Sequence, residues 1–127
     1  AEVVGVPEDQ VEIRDGSGLS ILNRISAGAL LATVRHLADT PEWEPFWESL
    51  PEAGTLRLFR RMARTAAAGN LRAKTGTVDR VSSLTGMVRT ADGERIVFSI
   101  VGNDLPSETG AKRLEDQVGQ ALAEWRR

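Results

Sequence analysis

Hydrophobic and polar residues follow two different periods along the chain, and the period changes near residue 70. Before it, residues 11–14 alternate like a short strand, and residues 15–24 are crowded with turn formers. A helix capped by Ser26 is predicted next, with this apolar face: Ala27, Leu30, Leu31, Val34, Leu37 and Ala38. A second helix is predicted with Thr40 as cap and Pro41 as first residue. Its apolar face is Trp43, Phe46, Trp47 and Leu50. Residues 55–65 also have helical spacing, which predicts a third helix.

After residue 70 the pattern is that of strands. Leu71–Val78, Val81–Thr90 and Glu94–Gly102 are predicted as three antiparallel strands, and the Asp92-Gly93 pair predicts a hairpin between the last two. A final helix is predicted from Ser107, with an apolar face of Leu114, Val118, Ala121, Leu122 and Trp125. Helices, three strands and a helix in this order predict an α+β fold, an antiparallel sheet flanked by helices.

Composition and charge narrow the functional classes. The chain has 127 residues, a net charge of −2, no cysteine and a single histidine, His36. Thiolate metal sites and a cysteine nucleophile are therefore excluded, and a dedicated nucleic-acid binder is disfavoured because such proteins are usually basic. No apolar run reaches the ~20 residues of a membrane span, and no signal peptide is visible. The chain has fourteen arginines and only two lysines, Lys74 and Lys112. A lysine in such a chain can serve a role for which arginine is unsuited.

Lys74 begins the sequence Lys-Thr-Gly-Thr at the end of a predicted strand. A strand edge offers backbone groups to an extended peptide, and Gly76 would allow that peptide to approach closely. The hydroxyls of Thr75 and Thr77 can bind a carboxylate, and Lys74 adds one compact positive charge. Together these groups could hold the C-terminal end of a peptide and stabilise an oxyanion. The alternative is an ordinary strand end and turn.

The segment Asp15–Asn23 (DGSGLSILN) is the second candidate element. Two glycines and two of the chain's serines precede a helix here, which favours a tight loop that presents a hydroxyl and an amide into a cleft. The alternative is a plain strand-to-helix turn in which Ser20 or Asn23 bonds local backbone.

The segment Asp15–Asn23 and the Lys-Thr-Gly-Thr sequence, in this order and together with the sequence around them, resemble one protein family. Residues 11 to 125 are similar to the D-alanyl-D-alanine carboxypeptidase/endopeptidase family of class C low-molecular-mass penicillin-binding proteins, peptidase family S13, with its SxN and KTG motifs. The resemblance implies that residues 1–127 are the C-terminal portion of a β-lactamase/transpeptidase-like domain. It implies a serine-type D-Ala-D-Ala peptidase that acts on peptidoglycan peptides, is acylated by β-lactams and needs no cofactor, in a periplasmic or extracellular location.

The same resemblance assigns roles to individual residues. Ser20 and Asn23 would be catalytic residues of the SxN-like motif, although the family pattern places the asparagine two residues after the serine rather than three. Lys74 would also be catalytic, and Thr75, Gly76 and Thr77 would bind substrate. The family's nucleophile lies in an SxxK motif, and no serine of this chain has lysine three positions on. An upstream SxxK-bearing segment is therefore expected as a partner, and the chain alone is expected to be inactive. A non-catalytic cell-wall-peptide-binding or interaction module of the same fold is the alternative.

Three further features are interpreted as structural. His36 lies off the apolar face of its helix and is expected at the surface. The aromatic residues of the second predicted helix are expected in the core, with ligand stacking as the alternative. Arg57, Arg60, Arg61 and Arg64 stand at helical spacing and are expected to form a solvated face, with a polyanion site as the alternative.

Overall fold

The computed structural model describes residues 2–55 and 60–127 of the chain. A short ribbon comes first, in which β1 (Val11–Glu12) pairs antiparallel with β2 (Arg24–Ile25). Helices α1 (Ala27–Ala38) and α2 (Trp43–Ser49) follow. The C-terminal half contains β3 (Leu71–Val78), β4 (Val81–Arg89), β5 (Arg95–Gly102) and helix α3 (Glu108–Glu124). Two 3₁₀ turns, Glu2–Val4 and Glu8–Gln10, precede the ribbon.

The three long strands form an antiparallel meander in the order β3-β4-β5. The predicted strands and the final helix are thus confirmed, β3 with its predicted bounds. The register pairs Leu71 with Val88 in the first hairpin and Ser82 with Gly102 in the second. Both β3 and β5 are edge strands of the described sheet.

Helices cover the sheet on both faces, which confirms the α+β fold. On one face, α3 packs over a core in which most side chains are small or branched. This core comprises Ala53, Met62, Ala67, Leu71, Ala73, Leu84, Val88, Phe98 and Ala123. On the other face, Val34 of α1 and Trp43 of α2 pack against Met87, with Phe46 and Trp47 at the margin of this second cluster. The aromatic residues of α2 are therefore core residues, as expected.

The start of α1 is confirmed and the start of α2 is not. Ser26 caps α1, and its hydroxyl accepts the Ala29 N–H at 2.9 Å. The hydroxyl of Thr40 instead donates to the Leu37 carbonyl at 3.0 Å, so it closes α1 rather than opening the next helix. Helix α2 begins at Trp43 without a side-chain cap.

A helix is predicted over residues 55–65, of which residues 56–59 lie outside the described residues. In the described part of this range the prediction is wrong. Residues 61–64 form turns, and both Met62 and Arg64 have positive φ angles, 60° and 64°, which an α-helix does not permit. This conformation buries the Met62 side chain in the core and aims Arg61 at α3. The expected solvated arginine face is therefore wrong for Arg61, whose side chain is 20% exposed. Arg57 lies outside the described residues.

The apolar face predicted for the last helix is wrong only in part, since Leu122 packs against the core and Val118 is half-buried. Leu114 and Trp125 are 57% and 54% exposed, whereas Glu115, Gly119 and Ala123 are buried. The reason is close packing at Gly119, where a Cβ would lie 2.8 Å from the Met62 sulfur and 2.9 Å from a Leu71 methyl. The helix therefore presents its smallest residue to the core.

Candidate functional site

Other described residues cover the outer edge of β3 along its N-terminal half and leave it uncovered along its C-terminal half. Pro51 and Ala53 run alongside its start, where the Ala53 N–H bonds the Leu71 carbonyl at 2.9 Å and the Ala73 N–H bonds the Pro51 carbonyl at 3.1 Å. Backbone groups of a strand point to alternate sides. Since Leu71 and Ala73 point outward, the N–H and C=O groups of Thr75 and Thr77 point outward as well. No backbone hydrogen bond among the described residues covers those groups.

The ammonium of Lys74 already lies at this open edge. Its Nζ donates to the Thr75 carbonyl at 2.5 Å, and its side chain is exposed. The cross-strand partner of Lys74 is Thr85, and that of Gly76 is Ser83. The Lys74 charge is therefore next to the outward backbone of Thr75, where an extended ligand would approach.

A cavity of about 410 Å³ opens beside Lys74 on the face covered by α1 and α2. Its polar groups include the hydroxyls of Ser83 and Thr85, and the latter also bonds Ser99 at 2.9 Å. The rest of its wall is mostly apolar: Leu30, Thr33, Val34, Phe46, Ser49, Leu50 and Pro51. Ser83 and Thr85 are not among the site residues predicted from the sequence. Strand alternation together with the hairpin register would have placed both on the Lys74 face.

The Lys-Thr-Gly-Thr residues divide between two faces of the sheet. Arg72 lies over the Trp47 ring on the α2 side, at 5.6 Å from the ring centroid, while Leu71 and Ala73 belong to the α3-side core. Alternation then places Lys74 and Gly76 on the α2 side and the side chains of Thr75 and Thr77 on the α3 side. A ligand at the edge would meet the ammonium and the threonine hydroxyls from opposite faces of the strand.

The Ser83 side chain on the neighbouring strand leaves no room for a side chain at position 76. A Cβ at position 76 would lie 2.4 Å from the Ser83 hydroxyl oxygen, but 3.7 Å from the Ser83 Cβ. The group that comes close to Gly76 in the structure is therefore the Ser83 side chain of β4. A ligand at the edge would be a second reason for a glycine at this position.

We expect Gly76→Ala to cost about 1 kcal/mol of unfolding free energy, because the Ser83 hydroxyl must leave its position. Ser83→Ala introduced into the same chain is expected to recover most of this cost, since an ordinary contact then remains. Denaturant unfolding of both single variants and the double variant measures the coupling. Additive costs would contradict the steric explanation.

Ser20 lies on the loop that joins β1 to β2. It is half-buried, its hydroxyl accepts the Leu22 N–H at 3.2 Å, and its carbonyl accepts the Asn23 N–H at 3.1 Å. The neighbouring Leu19, Ile21 and Leu22 are 71%, 85% and 59% exposed. The predicted tight loop before α1 is present, and it presents Ser20 between exposed aliphatic side chains.

Asn23 closes the base of this loop. Its Oδ1 accepts from the Arg14 N–H at 2.7 Å and the Asp15 N–H at 3.3 Å, and its Nδ2 donates to the Asp15 carboxylate at 2.7 Å. The same carboxylate accepts the Ser17 hydroxyl at 2.6 Å. The Asn23 amide thus has one N–H left with which to bind anything else.

Hydrogen bonds lower the pKa of the Asp15 carboxyl from its ordinary value of 3.8, first through the Ser17 hydroxyl and then through the Asn23 amide. Because the folded pKa is depressed, the carboxylate stabilises the closed loop above the unfolded value, and this stabilisation is lost as pH falls through the folded pKa.

We therefore expect the Asn23 side-chain amide signals to titrate with a midpoint below pH 3.8 in an NMR titration from pH 6 to pH 2. Ser17→Ala removes the larger cause and should move that midpoint upward. A wild-type midpoint at or above 3.8 would contradict this account of the loop.

The polar contacts of Ser20 and Lys74 are local to their own segments. Ser20 bonds within its loop and Lys74 bonds within β3, and no hydrogen bond joins the two side chains. Their presence on the rim of a single cleft stays a prediction. His36 is exposed on α1, as expected.

Among the described residues, no group of three or more histidine, aspartate or glutamate side chains is placed to hold a metal ion. No helix in residues 2–55 and 60–127 is long and apolar enough to cross a membrane.

Comparison with known proteins shows consistent similarity to one group. The model of the D-Ala-D-Ala carboxypeptidase 3 (S13) family matches residues 2–125. A D-alanyl-D-alanine carboxypeptidase from Actinomadura sp. is 36% identical over 96% of this chain and 23% of its own length. A carboxypeptidase from Mycobacterium tuberculosis is 37% identical over 71% of this chain and 21% of its own length. The chain thus spans about a quarter of the curated relatives it matches.

Solved structures share the fold. Penicillin binding protein 4 from Haemophilus influenzae superposes with a TM-score of 0.75 at 24% identity, over 95% of this chain and 29% of that one. A predatory endopeptidase from Bdellovibrio bacteriovorus, solved in complex with an immunity protein, gives a TM-score of 0.72 at 23% identity. It covers 94% of this chain and 34% of its own.

Proposed function

The chain belongs to the D-Ala-D-Ala carboxypeptidase 3 (S13) family, and we propose that it is the C-terminal, substrate-binding portion of a serine-type D-Ala-D-Ala carboxypeptidase or endopeptidase. The substrate would be a peptidoglycan peptide, which implies a periplasmic or extracellular location. The observation that carries the proposal is the uncovered edge of β3, where Thr75 and Thr77 direct their backbone outward next to the Lys74 ammonium.

The open edge has the groups that such a substrate needs. An extended peptide can pair with the outward N–H and C=O groups of Thr75 and Thr77, as an added strand does. The Thr77 N–H would also stabilise the oxyanion that forms when the scissile carbonyl is attacked. Lys74 supplies positive charge for the terminal carboxylate, and the two threonine hydroxyls add hydrogen bonds to it from the other face. β-Lactams would bind here because they carry a carboxylate and a reactive carbonyl.

Ser20 and Asn23 would act from the β1–β2 loop. Ser20 would relay a proton to the amine that leaves when the peptide bond breaks, which a hydroxyl can do by donating and accepting at once. Asn23 would orient the substrate amide with the one N–H that its contacts to Asp15 and Arg14 leave available. This role requires the loop to lie within reach of β3 in the active protein.

The nucleophile would come from another segment. Acylation needs a serine with an activating base, and no serine of this chain has lysine three residues on. In the proposed reaction that upstream serine attacks the carbonyl, the terminal D-Ala leaves with a proton, and water then hydrolyses the acyl-enzyme. No metal or organic cofactor takes part in this chemistry.

A labelled penicillin and a D-Ala-D-Ala peptide test this proposal on the chain alone. We expect saturable, reversible binding of the peptide in an NMR titration, with shifts at Thr75 and Thr77, and no covalent penicillin adduct in the intact mass. An L-Ala-L-Ala peptide is the matched control. Stoichiometric adduct formation would refute the claim that the nucleophile lies elsewhere, and an absence of D-Ala-D-Ala binding would refute the substrate site.

The missing SxxK sequence also favours a second candidate, a cell-wall-peptide-binding or interaction module without catalysis. Adding the SxxK-bearing segment of a relative separates the two candidates. Covalent labelling that appears only in the mixture supports the peptidase, whereas reversible binding alone, with and without the segment, supports the module.

A further inference from the structure

A carboxylate lies in the interior of this protein, on the core-facing side of α3. The Glu115 side chain is 2% exposed. Its Oε1 accepts the Ser82 hydroxyl at 2.7 Å and its Oε2 accepts an Arg61 N–H at 2.8 Å. Arg61 also bonds the Asp116 carboxylate and the Lys112 carbonyl, each at 2.7 Å. A single network therefore joins α3, β4 and the segment that contains Arg61.

Stability alone is a poor explanation for this network. Removing a charge pair from water costs several kcal/mol per ion, and an apolar replacement of similar volume is often equally stable. The network does fix the positions of its side chains. Both oxygens of the Glu115 carboxylate accept hydrogen bonds, and the Arg61 guanidinium donates to two carboxylates and a carbonyl.

The network ends directly behind the candidate substrate edge. Ser82 is 1% exposed and is the cross-strand partner of Thr77, whose own side chain is exposed on the same face. Thr77 directs its backbone outward, so it makes no ladder hydrogen bond to Ser82 and relies on its neighbours for position. Only the Val78–Val81 pair and the turn lie beyond it in this hairpin.

The network also reaches the other end of β3. The Arg61 carbonyl accepts the Gly54 N–H at 3.0 Å, and Ala53, the residue before Gly54, bonds Leu71 at the start of β3. One arginine thus connects α3 to the segment that covers the first residues of β3, while Glu115 connects α3 to Ser82, the residue of β4 that lies opposite Thr77. The uncovered stretch from Lys74 to Val78 is held between these two attachments.

We propose that Ser82 and Glu115 are positioning residues that hold the outward N–H of Thr77 in place for its ligand. The functional part of this inference rests on the proposed substrate site, since it is there that a fixed N–H direction matters. The mechanical part, the dependence of Thr77 order on the Ser82 hydroxyl, can be tested without any ligand.

The test is the backbone ¹⁵N order parameter of Thr77, measured in the wild type and in Ser82→Ala. We expect it to fall from about 0.85, the value of a rigid backbone, to below about 0.6, while Leu71 at the other end of the strand keeps its value. Ser99→Ala is the matched control, because it also deletes a hydroxyl that is hydrogen-bonded across two strands, here to Thr85 on the opposite face. This control should leave Thr77 unchanged.

Two results would overturn the proposal: an unchanged Thr77 in Ser82→Ala, or an equal loss of order along all of β3. If Ser82→Ala has no cooperative unfolding transition, Arg61→Lys replaces it with the same expected pattern, since it keeps the cation but loses the fork that fixes Glu115. The peptide titration of the wild type is independent of this measurement. If the wild type does not bind a D-Ala-D-Ala peptide but Ser82→Ala lowers the Thr77 order parameter as expected, the proposed substrate binding is refuted and the positioning role of Ser82 and Glu115 is supported.

Discussion

Lys74→Ala is expected to weaken binding of a D-Ala-D-Ala peptide by roughly 10- to 100-fold. In the proposed site, the interaction lost would be a charge-assisted hydrogen bond from the Lys74 ammonium to the terminal carboxylate of the peptide, and such a bond contributes about 1.5–3 kcal/mol. Lys74→Arg should also weaken binding, because a planar guanidinium on a longer side chain does not replace a compact ammonium close to the Thr75 carbonyl. NMR or calorimetric titration of the purified chain measures both changes.

The chain offers a matched control in its only other lysine. Lys112 lies on α3 and its ammonium is 3.7 Å from the Glu108 carboxylate, so Lys112→Ala removes the same charge at another place. We expect this variant to bind the peptide as the wild type does. Equal weakening by both variants would mean that net charge, rather than the position of Lys74, controls binding.

Glu115→Ala is expected to lower the free energy of unfolding by about 3–5 kcal/mol, a large part of the 5–15 kcal/mol typical of a domain. The reason is that Arg61 would keep its charge while losing one of its carboxylates, and the Ser82 hydroxyl would lose its acceptor in the core. The loss should appear as a lower denaturant midpoint in chemical unfolding followed by tryptophan fluorescence.

Glu108→Ala is the control on the same helix. Its carboxylate is about half exposed and lies 3.7 Å from the Lys112 ammonium, its one ion pair among the described residues, so the expected change is within about 0.5 kcal/mol. A loss below about 1 kcal/mol for Glu115→Ala would show that solvent or other groups compensate for the missing carboxylate, and the buried network would then be dispensable for stability.

The strands of this protein could be predicted because their signals are local. Apolar residues along β4, an almost continuous apolar run in β5 and the Asp92-Gly93 turn indicate these two strands, and Leu71–Val78 matches β3 at both ends. The backbone of residues 60–65 could not be predicted in the same way. Residues 55–65 have helical spacing, but Met62 and Arg64 have left-handed backbone, and Met62 packs in the core with residues that are distant in sequence.

The orientation of α3 shows the limit of the apolar pattern. A pattern assigns leucine and tryptophan to the interior and glutamate to the surface, whereas here Leu114 and Trp125 are exposed and Glu115 is buried. The glutamate is tolerated inside because Arg61, more than fifty residues earlier, and Ser82 on another strand reach it. Such a partnership has no signature in the local sequence.

The candidate site was predictable in its residue types and only partly in its geometry. That Lys74 to Thr77 lie at a strand edge follows from the strand pattern, and the structure places the outward backbone there. That Gly76 makes room for Ser83, and that Asn23 bonds Asp15 and Arg14, depends on the register of a hairpin and the closure of a loop. Neither can be derived from spacing alone.

The meander of β3, β4 and β5 has a consequence for how the protein folds. Its pairings are short-range in sequence, with Leu71 and Val88 as the most distant partners in the first hairpin and Ser82 and Gly102 in the second. Sheets built from such low-contact-order pairings form faster than those that wait for remote strands, and single hairpins close within about 1–10 μs. We therefore expect the strand that carries Lys74 to acquire its register early, before α1 docks on the sheet. The edge of β3 at which we propose peptide binding would then exist before the later steps of folding rather than result from them.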